Sequence, residues 1–412
     1  FPRKYAILSV RGVTGITPQS IGKSRRGLRK QKQTSSQEEL NKMKMNKWTM
    51  GLAAAGVVSL ASAAQAEENS VLTALSSTVI SGSVEASYVG GFSTNNNMHN
   101  DGGFEANGAS LDIGSPLGEG DYSASYNVGL LFGNRAGAFA RDGSDQLLRS
   151  ANIGMNLPFG NGVDLTLGLF DTTVGYEVEA SASNPNVMRS YGYQLEPRTH
   201  TGLLAATEIT EGLSVSAGLI NGFDSSNEDI DANDGHADLG FVLGADFTLP
   251  DSLGFLGGST LYAGYVDGSD EGNWVGVNDD GDDVYNAGDN TLLYIGASVN
   301  TPIEGLAIGV AYDDREWSDG VTDSDSVAVY ASYSLSDDAS IALRYDNGTI
   351  NQGPVEDSFD NLALTLDYSL WENVTTRLEL GWESGLGADA AEDRDYLTDG
   401  SGDSSYFALN AF

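Results

Sequence analysis

The 412-residue chain has no cysteine. That excludes disulfide stapling, thiolate catalysis and thiolate metal sites, so stability has to come from hydrogen bonding and packing. Lysine is absent beyond Lys47: the nine basic residues of 67–412 are all arginines, set against 56 acidic side chains for a net charge of −47. Such a surface repels nucleic acid, excluding it as a partner, and favours cations. Histidine is nearly absent too, with only His99, His200 and His236, and there is no G-x-S-x-G, P-loop or H-E-x-x-H pattern. No enzymatic activity and no cofactor are therefore expected. Beyond residue 66 no run of 18 apolar residues exists, which excludes a transmembrane helix.

The N-terminal region carries a different kind of information. Residues 1–42 are basic and without periodicity, with Lys23, Arg25, Arg26, Arg29, Lys30 and Lys32 close together; they are expected to be an upstream extension outside the mature protein. Residues 43–66 combine Met43-Lys44-Met45-Asn46-Lys47, an apolar run from Trp48 to Ala64, and Ala64-Gln65-Ala66. A charged start, a short apolar stretch and an A-x-A site make a cleavable signal peptide, with cleavage expected before Glu67. Export without apolar helices leaves two outcomes, a soluble secreted protein or a barrel in a bacterial outer membrane. Residues 67–77 are expected as a periplasmic N-terminal segment and 78–412 as the barrel.

From Thr78 onward, short stretches alternate apolar and polar residues with period two, the mark of a strand with one apolar face. Ile80, Val84, Ala86 and Tyr88 oppose Ser81, Ser83, Glu85 and Ser87; Leu362, Leu364, Leu366 and Tyr368 oppose Ala363, Thr365, Asp367 and Ser369. Sixteen strands are expected, near 78–89, 104–114, 120–133, 145–157, 162–173, 197–209, 212–223, 236–249, 256–267, 290–300, 305–314, 325–335, 339–347, 358–370, 373–384 and 403–412. Long acidic connectors (90–103, 134–144, 174–196, 224–235, 268–289, 315–324, 348–357 and 385–402) follow every odd strand, and short turns rich in Pro, Gly, Asn and Asp follow the even ones. A soluble sandwich has no reason to keep all its long loops on one edge. About ten tilted residues at 3.3 Å each span roughly 25 Å, the height of a lipid-facing band. The expected fold is all-β: a transmembrane antiparallel β-barrel of about 16 strands, with short periplasmic turns and long acidic extracellular loops. That width leaves room for an aqueous channel.

The connector 174–196 differs from the rest. It holds Tyr176, Tyr191 and Tyr193, the acids Glu177, Glu179 and Glu196, and Arg189, with Arg198 just beyond. Folded inward, arginines opposed to carboxylates narrow a lumen and select by size and charge; left on the surface, the same residues make an ordinary aromatic-packed loop. The stretch LPFGNGVDLTLGLFDTTVGYEV through NPNVMRSYGYQLEPRTHTGL (157–203), with Leu219-Ile220-Asn221-Gly222-Phe223-Asp224 and the opening Ser81–Tyr88, resembles the OmpL-like porin-2 family of outer-membrane barrels. The resemblance is carried by the first half of the mature chain, and Gly175-Tyr176-Glu177 with Arg189-Ser190-Tyr191 is its most specific part. It implies a porin, without naming a solute.

On the polar phase of the late strands lie Arg344, Asp346, Asp367, Arg377, Glu379 and Glu383, expected to line the pore because charge facing lipid is costly. Arg149 falls on the apparent lipid phase of the fourth strand, near its outer end, where it is expected to snorkel. The acidic run with Asp279, Asp280, Asp282 and Asp283, like Asp229, Asp231 and Asp234, offers hard oxygens for a loosely bound Ca2+, without EF-hand spacing. The chain ends on Phe412, with Asn410 interrupting the alternation before it. The expected function is passive diffusion of small hydrophilic solutes and ions, cation-preferring, through a barrel embedded in outer-membrane lipid and assembled as a homotrimer. The alternatives are a structural or adhesive barrel acting through calcium-binding loops, and a catalytic barrel built on a histidine such as His200.

Overall fold

Period-two alternation of this length commits the backbone to paired strands, because a one-residue slip in register would turn every apolar side chain inward. The computed structural model describes residues 78–93, 103–118, 121–140, 146–224, 239–268, 274–277, 283–285, 290–317, 321–353, 355–386 and 402–412. The strands are β1 (Val79–Ser93), β2 (Gly103–Ser115), β3 (Ala124–Phe132), β4 (Gln146–Leu157), β5 (Val163–Asp171), β6 (Thr199–Thr210), β7 (Leu213–Ile220), β8 (Gly240–Thr248), β9 (Thr260–Gly268), β10 (Trp274–Val277), β11 (Asp283–Tyr285), β12 (Asn290–Asn300), β13 (Leu306–Glu316), β14 (Thr322–Ser334), β15 (Ala339–Gln352), β16 (Val355–Trp371), β17 (Val374–Leu386) and β18 (Gly402–Ala411). Each pairs antiparallel with its chain neighbour, except that β10 and β11 form a separate hairpin and β9 pairs directly with β12. β1 pairs with β18, so sixteen strands close into a barrel. No described helix is long and apolar enough to cross a membrane.

The faces separate as the alternation requires. Leu362, Leu364 and Leu366 on β16 are 41–44% exposed, whereas the intervening Asn361, Ala363 and Thr365 are at 0–1%. The apolar side chains therefore point out and the polar ones in, the inverse of a soluble protein. On β16 the outer band runs from Leu362 to Leu370, about 23 Å at 3.3 Å per residue and a tilt near 40°. Aromatic rings border it, with Tyr345 and Trp382 on the loop side and Tyr333, Tyr368 and Trp371 on the turn side, where amphipathic rings meet headgroups.

The structure departs from the sequence reading in three places. Arg149 does not face lipid. Between Gly129↔Ser150 and Leu130↔Leu148 the β3–β4 register shifts by one residue. This bulge breaks the strict alternation that placed Arg149 outside; its guanidinium lies within the barrel, 2.8 Å from Asp112. Half of the connector 315–324 and most of 348–357 are strand: β13 and β14 pair out to Glu316↔Asp323, and β15 and β16 out to Gln352↔Val355. Their polar residues, Asp325 bonding Thr349 and Asn351 bonding Asp323, belong to ladders that continue beyond the apolar band. Finally, the turn between β8 and β9 spans 249–259 and contains a 3-10 segment, Asp251–Leu256. The signal-peptide region and the acids Asp229, Asp231, Asp234, Asp279, Asp280 and Asp282 lie outside the described residues, as do His99 and His236.

Candidate functional site

The site is the segment between β5 and β6. A surface loop would bond to its own neighbours. This one bonds to the inner face of strands on the other side of the barrel. Its outgoing limb, 172–180, sends Val174 against Gly264 of β9 and Tyr176 against β14, where its ring stacks on Tyr330 at 4.3 Å. Its tip, the short 3-10 turn Ser181–Ser183, reaches β17 and β1: Arg377 donates to the Ser181 carbonyl at 2.7 Å and the Ser181 hydroxyl to Glu85 at 2.9 Å. Its returning limb carries the helix Tyr191–Leu195, capped by Ser190, whose hydroxyl accepts from the Tyr193 amide.

The wall grips the loop by its backbone. Carboxylates take amide protons: Glu379 accepts from Val187 at 2.6 Å and Met188 at 3.0 Å, and Asp346 from Tyr191 at 3.1 Å. Arginines take carbonyls: Arg315 donates to Leu195 at 3.0 Å, Arg344 to Met188, and Arg377 to Ser181 and Ala182. Charge-assisted bonds of this kind are roughly twice as strong as neutral ones. Within the loop, Glu177 accepts from the Ser190 amide and hydroxyl and pairs with Arg344 at 3.3 Å. Arg344 also holds Asp346 at 2.7 Å, and all three side chains are at 0–1% exposure.

Shape complements charge. Gly309 of β13 is the notch for Tyr176: a side chain there would overlap the phenol. Burial raises the Tyr176 phenol above its ordinary range, so it stays neutral. Gly175 holds φ at 103°, and a side chain there would occupy the Glu196 carboxylate. The loop's Val174 and Leu195 complete an apolar cluster with inward-facing Leu204, Ile220, Val242, Val266 and Leu292.

The remaining sequence-predicted residues are placed as follows. Arg189 bonds the Glu179 carbonyl at 2.8 Å, Tyr191 packs on Phe359 at 3.9 Å, and Arg198 stacks over the Tyr193 ring at 3.6 Å. Arg377 pairs with Asp367, Glu383 accepts from Asn361 at 3.1 Å, and Glu379 also bonds Thr365 and Tyr406. All six polar-phase residues point inward, but Arg344, Asp346 and Glu379 are fully covered by the loop, so they contact the loop where open water was expected. Asn410, at 1% exposure beside outward Leu409 at 49%, bonds Glu85 at 2.6 Å across the β1–β18 seam; it keeps the inward polar phase and does not interrupt the alternation. His200 is 1% exposed and bonded to Thr172 at 3.0 Å. Among the described residues no group of three His, Cys, Asp or Glu side chains is arranged to hold a metal ion.

Sequence reasoning missed a second charged group. Arg135, on the helix Asn134–Ala140, pairs with Glu179 and with Glu85 at 3.5 Å, and Arg149 pairs with Asp171 and Asp112. Glu85 was on the polar phase of its strand and could have been found; the bulge hid Arg149.

The barrel is similar to solved structures of bacterial outer-membrane proteins. The structure resembles OprB of Pseudomonas putida (TM-score 0.59, 12% identity, 83% of this chain and 96% of that one). It also resembles OmpF of Salmonella typhi in complex with daunomycin (0.55, 13%, 81% and 97%) and OmpT of Vibrio cholerae in its trimer form (0.50, 16%, 81% and 98%). At these identities the likeness is one of fold. No curated protein sequence matches the chain. The sequence does match a family profile over residues 77–411, almost the whole barrel, and the chain belongs to that family, described as putative beta-barrel porin-2, OmpL-like.

Proposed function

We propose that this is an outer-membrane diffusion channel, exported by the signal peptide at 43–66, through which small hydrophilic solutes and ions pass passively with a preference for cations. The observation that carries the reading is the β5–β6 segment lying inside a closed sixteen-strand barrel and held to the far wall by Glu379, Asp346, Arg344 and Arg377. A loop fixed across a lumen narrows it and sets a size limit without moving parts. The acidic excess supports cation preference. The long connectors would face outward and both chain ends the periplasm. Trimerisation is carried over from the OmpT relative, whose trimer form shares the fold. Planar-bilayer recording of the purified barrel should give steady ohmic conductance, with a reversal potential of cation sign in a salt gradient; a folded barrel that stays silent would refute the channel.

One observation favours a second reading. The inner wall of β13–β17 is covered to near-zero exposure and the β6–β12 side is filled by an apolar cluster, as in a closed structural or adhesive barrel acting through its acidic, calcium-binding loops. Zero conductance together with calcium-dependent surface binding would select it. A catalytic barrel is the least supported, since His200 is sealed from substrate.

A further inference from the structure

The two limbs of the loop are not equivalent. The returning limb is sealed against the wall: Asn186, Ser190, Leu195, Glu196 and Arg198 are all at 4% exposure or less. The outgoing limb has a free edge, where Val178 is 37% exposed. That edge faces the arc β1–β5, whose inward Asn127, Asn152 and Thr166 are partly exposed.

Six charged side chains from six elements gather between this limb and the wall. Arg149 of β4 joins Asp112 of β2 to Asp171 at the end of β5, and Arg135 joins Glu85 of β1 to Glu179 on the outgoing limb. Glu179 and Arg149 also interact electrostatically, so the two triads form one group. Two guanidinium groups face four carboxylates. Exposure decides which sign a solute meets: the side chains of Arg135, Arg149 and Glu179 are 12%, 10% and 12% exposed, whereas that of Asp171 is 45% exposed. Each guanidinium is bound by two carboxylates and has little left to offer an anion.

We propose that the permeation path runs between the outgoing limb and the β1–β5 wall, and that Asp171, backed by the partly covered Glu179, forms its charge filter for small cations, both hydrated inorganic ions and organic ammonium groups. Arg135 and Arg149 act as positioning residues that hold the carboxylates apart. This rests on the channel reading above and seats its selectivity in four side chains outside the segment 180–196. Anions are turned away by the exposed carboxylate, and the covered acids Asp346 and Glu379 take no part.

The test uses the full-length folded barrel in planar bilayers under a KCl gradient. The double variant Asp171→Asn/Glu179→Gln should lower the cation-to-anion permeability ratio several-fold while conductance persists. Arg149→Gln should raise the ratio, and Glu372→Gln, on the turn side, should leave it unchanged. A folded, conducting double variant with the wild-type ratio would overturn the proposal alone; a silent wild type would overturn the channel reading with it. Because the chain has no cysteine, Val178→Cys gives an independent readout that leaves the charges in place. A cationic thiol reagent should block its current faster than an anionic one of equal size, and failure of either reagent to reduce the current would place the path elsewhere.

Discussion

Arg344 shows what a single residue does in an inverted barrel. Its guanidinium, at 0% exposure, joins two carboxylates from different elements, Glu177 of the loop and Asp346 of its own strand, and the Met188 carbonyl. Removing one partner of a buried ion pair leaves the others desolvated and unpaired. Arg344→Met should cost about 3–5 kcal/mol, read as a lower temperature for conversion of the compact gel band to the unfolded one; an unchanged transition would mean the cluster is hydrated. Gly309 tests packing at the same scale. Gly309→Val inserts methyl groups where the Tyr176 phenol sits, an overpacking cost of about 1–3 kcal/mol. In a Tyr176→Ala background the same substitution should cost little, because the phenol it would strike is gone. If both single variants are harmless, the notch does not hold the loop.

At the scale of elements, the outer ends of β13–β16 behave as strand although their composition is that of a loop. Asp, Asn, Thr and Gly dominate 346–353, yet the β15–β16 ladder is unbroken to Gln352↔Val355. Amides paired across this ladder should exchange with deuterium as slowly as those at Leu343 or Leu364; fast, loop-like exchange would contradict the extension. The same example shows what a sequence can reveal. Alternation of Leu, Val and Tyr marked every strand where one face meets lipid, because burial in hydrocarbon enforces it. Above the band both faces meet water, so nothing enforces alternation and the strand becomes invisible. The bulge in β4 was hidden for a related reason: Arg149 obeys a local register that only pairing with β3 creates. Within the loop, Tyr176, Glu177 and Arg189 stood out by composition. The attachment of the loop to Arg344, Glu379 and Arg377, far along the chain, could not be read, because contacts between distant positions leave no periodic signal.

For the whole molecule, the distribution of charge is the organising fact. All seven described arginines of 67–412 make contacts within the barrel or its inward loop, with carboxylates, backbone carbonyls or aromatic rings. A chain with so few cations concentrates them where a loop must be held inside the barrel against thermal motion. That makes the loop a fixed narrowing, and its removal the decisive operation. Single-channel conductance of the intact barrel should be compared with that of a variant lacking 176–193, both verified as folded by heat-modifiable mobility. The shortened barrel should conduct more and admit larger neutral solutes. Equal conductance and equal size exclusion would contradict a channel narrowed by this loop.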